Sequence, residues 1–154
     1  MADTFVVERS QKMAASPSEV YAEISDLARW EAWSPWAAMD PNMTTTYSGD
    51  PGTVGAGSHW VGNRKVGEGS MTVTSLDAPE KVNIDLSFVK PFKADNKVTF
   101  TIAPDGDGSN VTWSMTGALN FMTKLMGRFG KTMDKMVGPD FEKGLASLKG
   151  VVEA

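Results

Sequence analysis

The sequence predicts an α+β domain: one strand, two short helices, six further strands in an antiparallel meander, and a long C-terminal helix. Three observations predict it. Short runs of strict apolar–polar alternation fill residues 44–117. Turn residues punctuate those runs at close intervals. Apolar residues then recur at helical spacing from residue 120 to 152. No internal repeat, low-complexity tract or long linker divides the 154 residues, so a single domain over 1–154 is expected.

The first strand covers residues 4–13. Phe5, Val7 and Met13 share one parity, while Glu8, Ser10 and Lys12 share the other. Ser16-Pro17-Ser18-Glu19 then starts a helix, with Ser16 as N-cap, Pro17 at the first helical position and Glu19 completing a capping box. Val20, Tyr21, Ile24 and Leu27 fall on its inner face. A second short helix is expected from Leu27 to Trp33, ending before Pro35.

The meander is carried by Met71-Thr72-Val73, residues 82–88, residues 98–102 and residues 111–115. Turn signals such as Gly49-Asp50-Pro51-Gly52, Gly62-Asn63 and Asp105-Gly106-Asp107-Gly108 separate the strands. In the last helix Met122, Met126, Phe129, Met133, Met136 and Val137 share a face. Phe141, Leu145, Leu148 and Val152 share a second face, rotated by roughly 100° from the first at about 100° per residue. Gly138-Pro139 stands between them, which predicts a kink or short break there. Unbroken, such a helix would be roughly 50 Å long at about 1.5 Å per residue.

Composition narrows the chemistry. There is no cysteine and one histidine, His59. That excludes a Cys-containing zinc site, a disulfide framework, an iron–sulfur cluster and a thiol nucleophile. A Ser-His-Asp relay could run only through His59, and a metal site would need carboxylates and carbonyls almost alone. Fifteen Lys+Arg against 19 Asp+Glu leave a net charge of −4, which gives no electrostatic case for nucleic acid. No basic-then-apolar leader and no apolar run of the ~18 residues a membrane span needs are present, so a cytoplasmic protein without stable membrane insertion is expected. Asn42-Met43-Thr44 and Asn110-Val111-Thr112 match the glycosylation pattern, which carries no meaning without secretion.

Four segments carry a family resemblance: Ala15-Ser16-Pro17-Ser18-Glu19-Val20-Tyr21, the cluster Trp30…Trp33-Ser34-Pro35-Trp36, Gly67-Glu68-Gly69-Ser70-Met71, and Asp140-Phe141-Glu142-Lys143-Gly144-Leu145…Leu148-Lys149. With the element order, they make the chain similar to the START-like helix-grip superfamily (SRPBCC), in its polyketide cyclase/dehydrase-type branch, over about residues 4–152. The resemblance implies a seven-stranded antiparallel sheet curled around the C-terminal helix. It also implies a cavity for an apolar ligand between sheet and helix. The superfamily includes carriers, cyclases and receptors.

Strand parity names the inner face. Met71, Val73, Val82, Ile84, Leu86, Phe88, Val98, Phe100, Ile102, Val111, Trp113 and Met115 point inward, and Asp85 falls outside. The expected ligand-facing residues are Trp60, Phe88, Phe100, Trp113 and Met115 on the sheet, Met126, Phe129 and Met133 on the helix, and Trp33 and Trp36 near the mouth. The tryptophans serve equally as core packing or as an aromatic gate. The methionines serve as core or as an adaptable ligand wall.

Titratable groups within reach of such a cavity are few. Arg9 and Gln11 share the inward parity of Phe5 and Val7. Arg9 is either a strand-end side chain reaching solvent or a cavity cation that orients a carbonyl or an anion. Of the neighbours His59 and Trp60 only one faces in, so His59 is either an exposed strand residue or a polar ligand contact. Glu68 falls on the outer parity unless a bulge near Gly67 or Gly69 shifts the register.

Three apparent motifs fail. Gly130-Lys131-Thr132 lacks the first P-loop glycine, since Leu125 stands there. Asp105-Gly106-Asp107 has Asn110 and Thr116 where an EF-hand needs Gly and Glu. Gly55-Ala56-Gly57 has Trp60 where a dinucleotide fingerprint needs Gly. No cofactor is called for. The expectation is a binder of a hydrophobic or amphipathic small molecule, lipid- or polyketide-like. The alternative is a polyketide cyclase, aromatase or dehydratase working through Arg9 or His59. A third reading is an interaction module that shows Lys124, Arg128, Lys131 and Lys135 to a protein partner.

Overall fold

The computed structural model describes residues 4–64, 66–90, 93–118 and 133–154. Met122, Lys124, Met126, Arg128, Phe129 and Lys131, and the side chain of Met133, lie outside the described residues. So do the expectations placed on them.

Strand β1 is Thr4–Met13, and helix α1 is Pro17–Ser25. A 3-10 helix spans Leu27–Ala32, and α2 spans Pro35–Met39. Strands β2 (Thr44–Ser48), β3 (Gly57–Val61), β4 (Glu68–Asp77), β5 (Lys81–Lys90), β6 (Ala94–Asp105) and β7 (Gly108–Ala118) follow. Helix α3 is Met133–Val152.

The seven strands form one antiparallel sheet in the order β1-β7-β6-β5-β4-β3-β2. The six consecutive strands pair with their chain neighbours, and β1 closes onto β7, from Thr4 opposite Ala118 to Met13 opposite Ser109. The helical connection after β1 therefore carries the chain from one edge of the sheet to the other. Helix α3 packs chiefly on β1 and also meets β7, α1, α2 and the 3-10 helix. No helix among the described residues is long and apolar enough to cross a membrane.

Local signals explain the short helices. Ser16 Oγ accepts the Glu19 N–H at 3.3 Å, and Pro17 opens α1. Asp26 ends α1 in an extended conformation, and its carboxylate accepts the Ala28 N–H at 3.1 Å to start the 3-10 helix. Leu27, Trp30 and Trp33, three apart, fit three residues per turn and are buried. The α2 helix was not expected. Ser34-Pro35 repeats the start signal of Ser16-Pro17: proline opens a new helix there rather than only ending the last one.

The core lies between the inner sheet face and the helices. Val82, Ile84, Val98, Phe100, Ile102, Val111, Trp113 and Met115 are buried, as parity expects. Asp85 lies outside, 2.6 Å from Lys97 Nζ. In β4 a register shift between Val73 and Ser75 turns the strand by one residue, so Leu76 packs on the core and Ser75 is exposed.

Of the kink or short break expected at Gly138-Pro139, the break does not occur: α3 runs through Pro139 as one helix. Phe141, Leu145 and Leu148 face the core, but Met136 is 39% exposed and not on the inner face. The side toward β1 carries Asp134, Gly138 and Glu142 instead, four residues apart, and these meet Arg9. Packing on one side of Pro139 and this clasp across it hold the helix together although proline removes one backbone donor.

Candidate functional site

A hollow opens between the inner sheet face and the segment from Leu27 to Ala37. The described residues enclose about 70 Å³ of free space there, several times the roughly 10–15 Å³ that one water needs. Its wall is mostly aromatic and aliphatic, with Trp36, Trp60, Met71, Leu86, Phe88 and Trp113 prominent, and Phe141 of α3 closes one side.

Each aromatic is held by a local device. Trp60 points in from β3, and its indole N–H donates to the Val66 carbonyl at 2.9 Å. Its ring rests over Gly69, where a Cβ would lie 2.6 Å from the ring and 2.5 Å from the Ser87 carbonyl oxygen. Phe88 stands edge-on to Trp60 at 5.7 Å. A register shift sets Phe88 opposite Gly69 while Lys90 pairs with Glu68, leaving Val89 as the extra, exposed residue. Trp113 stacks on Phe141 at 4.1 Å and on Phe100 at 4.9 Å, with Trp36 edge-on at 5.8 Å.

Trp113 differs from its neighbours in one respect. The indoles of Trp30 and Trp33 donate to the carbonyls of Ile24 and Glu23, at 2.8 Å and 3.4 Å. The Trp113 indole N–H is buried and has no acceptor among the described residues. Leaving such a donor unpaired costs about 1–3 kcal/mol.

Of the expected ligand-facing residues, Trp36, Trp60, Phe88 and Trp113 line this hollow. Trp33, Phe100 and Met115 do not. They are packed in the core behind it, Trp33 at 4.6 Å from Trp30 and Phe100 under Trp113. Met126, Phe129 and Met133 fall outside the described side chains.

Neither titratable candidate lines the hollow. Arg9 reaches α3, where its guanidinium donates to both oxygens of Asp134, at 2.8 and 3.0 Å, and lies 3.5 Å from Glu142. The hydrogen bond to Asp134 raises the Arg9 pKa and holds the Asp134 carboxyl below its ordinary value. His59 sits on the outer face of β3 with a side chain 47% exposed, 3.1 Å from Glu68, which keeps the outer parity. Among the described residues no cluster of three or more His, Asp or Glu is placed to hold a metal.

The polar groups that do line the hollow are ones the sequence reading missed: Glu31, Ser34, Thr45, Tyr47 and Ser58. Glu31 comes from the 3-10 helix and Ser34 from the extended N-cap of α2 that follows it. Thr45 and Tyr47 share a parity on β2, but that strand has no apolar alternation to reveal it. Tyr47 and Glu31 both line the hollow, and the Tyr47 phenol is pushed well up by burial first, then by Glu31 and the charge of Asp26.

The fold is shared with solved structures. Protein CV1439 from Chromobacterium violaceum matches with a TM-score of 0.70 at 15% identity, covering 97% of each chain. Ara h 8.0201 matches with a TM-score of 0.65 at 10% identity, over 98% of this chain and 99% of that one. DynU16, a protein of the dynemicin biosynthetic locus, matches with a TM-score of 0.63 at 14% identity, over 97% of this chain and 47% of that one. No curated protein matches the sequence. The family model described as polyketide cyclase / dehydrase and lipid transport matches residues 4–153. With the seven-stranded sheet and C-terminal helix already in place, the chain belongs to that family, within the START-like helix-grip superfamily.

Proposed function

We propose that the chain binds a small hydrophobic or amphipathic molecule in the hollow between the sheet and the Leu27–Ala37 segment. The observation that carries this reading is the wall itself: Trp36, Trp60, Phe88 and Trp113, with Trp30, Tyr47 and Phe141 beside them, converge on one open space. Such a surface favours an apolar guest, at roughly 25 cal/mol per Å² buried before the costs of association. The family description, which includes lipid transport, supports the same reading. The position of Arg9 and His59 away from the hollow weighs against a cyclase working through either of them.

The test is uptake of the neutral dye N-phenyl-1-naphthylamine, read by its fluorescence. Saturable uptake by the native protein is expected. Met71→Trp, which fills the hollow, should weaken uptake about tenfold or more, the equivalent of ~1.4 kcal/mol, with an unchanged circular dichroism spectrum. Phe88→Ala serves as a second variant if that one misfolds. Absence of saturable uptake by the native protein overturns the proposal, and so does uptake indifferent to folded variants.

A further inference from the structure

We infer that Ser58 is a hydrogen-bonding contact inside the hollow, and that it selects an aromatic ligand bearing a hydroxyl or carbonyl over a hydrocarbon of the same shape. This rests on the ligand-binding reading above and specifies the ligand class. Register fixes where the side chain points. On β3, Ser58 and Trp60 share the inner face and His59 takes the outer one. Ser58 stands directly between Tyr47 of β2 and Met71 of β4. Those two neighbours, Trp60 and Ser58 itself all line the hollow. Serine is the short member of that row, so it leaves room there that a larger side chain would fill.

The side chain is buried and uncommitted. Ser58 is only 6% exposed, and among the described residues no hydrogen bond engages its hydroxyl. Its surroundings have little to offer. The Trp60 indole N–H is spent on the Val66 carbonyl at 2.9 Å, and Met71 brings only a weak thioether acceptor. The Trp113 indole N–H is also unpaired, but it is closed off, whereas Ser58 borders the free space. A hydroxyl both donates and accepts, so it serves a ligand hydroxyl or a ligand carbonyl equally. Water can pair with it only while no ligand is present. A hydrocarbon that displaces the water returns nothing, and a buried hydroxyl left without a partner costs free energy.

The aromatic wall and this hydroxyl together describe the ligand. Its body is a compact ring system that packs among Trp36, Trp60 and Phe88, and it carries one oxygen on the side that faces β3.

The probes are 2-naphthol and 2-methylnaphthalene, a pair that exchanges a hydroxyl for a methyl group. Each is titrated as a competitor of N-phenyl-1-naphthylamine on the native protein and on Ser58→Ala. The ratio of naphthol to hydrocarbon affinity should fall about fivefold in Ser58→Ala, the worth of one ordinary hydrogen bond. The hydrocarbon should bind the variant at least as well as it binds the native protein. An unchanged ratio overturns the Ser58 contact and leaves the cavity reading standing if both probes displace the dye. If the native protein takes up neither the dye nor the probes, the contact falls together with the cavity reading. Ser58→Cys supplies an independent measurement, also where Ser58→Ala does not fold. The chain has no cysteine, so that variant carries a single thiol. Methyl methanethiolsulfonate should modify the thiol more slowly when the dye is bound, and the modified protein should lose dye uptake. Modification at the same rate with and without dye overturns the contact.

Discussion

The guanidinium of Arg9 occupies the space that a side chain at Gly138 would fill. A Cβ added at Gly138 would collide with Arg9 Nη2 and lie 2.7 Å from its Cζ. The glycine thus has a packing reason inside a helix where it costs about 1 kcal/mol relative to alanine. It lets a strand-borne cation lie on the helix backbone between Asp134 and Glu142.

A mutant cycle tests that relationship. With Arg9→Ala the space is empty, so Gly138→Ala should recover part of the helix-propensity difference of about 1 kcal/mol, reduced because its Cβ crowds the ring of Pro139. With Arg9 present the gain should be smaller, because the guanidinium must move and its bidentate bond to Asp134 is disturbed. Urea denaturation of the four proteins measures the difference. Equal gains in both backgrounds would refute the packing role.

Acid should loosen the junction of strand and helix. The Asp134 carboxyl is held below its ordinary 3.8 by the bond from Arg9. The Glu153 carboxyl is held below 4.5 by Lys149 and by the Ala14 N–H. Both bind fewer protons folded than unfolded, so their contribution is present above those ordinary values and disappears as pH falls through the lowered folded ones. Burial raises Asp140 above 3.8, and its contribution has the opposite sign, declining as pH rises. Thermal unfolding across pH 6 to 2.5 should show a fall beginning near the ordinary carboxylate range, roughly pH 4 to 5. Asp134→Asn should make the fall shallower. An equally steep fall in that variant counts against the assignment.

The contact of Gly69 with Trp60 predicts a joint effect on fold and hollow. Gly69→Ala places a methyl group against the Ser87 carbonyl oxygen and the Trp60 ring. Backbone cannot yield as a flexible side chain can, so a loss of about 1–3 kcal/mol is expected. The Trp60 ring must also turn, so dye uptake should change in the fraction that stays folded. Calorimetric melting and fluorescence titration check the two effects separately.

Two substitutions on α3 distinguish its inner from its outer face. Leu145 is buried and Met136 is 39% exposed. Leu145→Ala should destabilise by about 2–5 kcal/mol, whereas Met136→Ala should stay within about 0.5 kcal/mol of the native protein. Comparable losses at both positions, measured by urea denaturation, would contradict the placement of the helix.

The strands from β5 to β7 were legible because each buries one face, so alternation in Val82–Phe88 or Val111–Met115 records the environment directly. Where the backbone departs from that period, the reading slips. The shift after Val73 moves the inward position from Ser75 to Leu76, and nothing in Thr74-Ser75 announces it. The segment from Leu27 to Trp33 was read as one short helix ending before Pro35, which hid the extended turn at Ser34 and the helix that follows it. Arg9 was correctly placed on the inner parity, but parity could not say that α3 would bring two carboxylates to it. Proline at 139 was weighed as a local breaker, whereas core packing after it and the Arg9 clasp across it keep the helix continuous.

The pairing of β1 with β7 has a consequence for how the protein is made. Thr4 leaves the ribosome more than a hundred residues before its partner Ala118, and Arg9 before Asp134 by 125 positions. Until then the first strand has no hydrogen-bonding neighbour, and its apolar side chains have no helix to cover them. The meander from β2 to β7 can pair as it emerges, each strand with its predecessor, and α1 and the 3-10 helix can already lie on it, but β1 and the part of the core that Phe141, Leu145 and Leu148 fill stay uncovered until α3 arrives. Nascent chains halted at Ala118 should therefore be cut readily by protease, and protection should come only once α3 has cleared the exit tunnel.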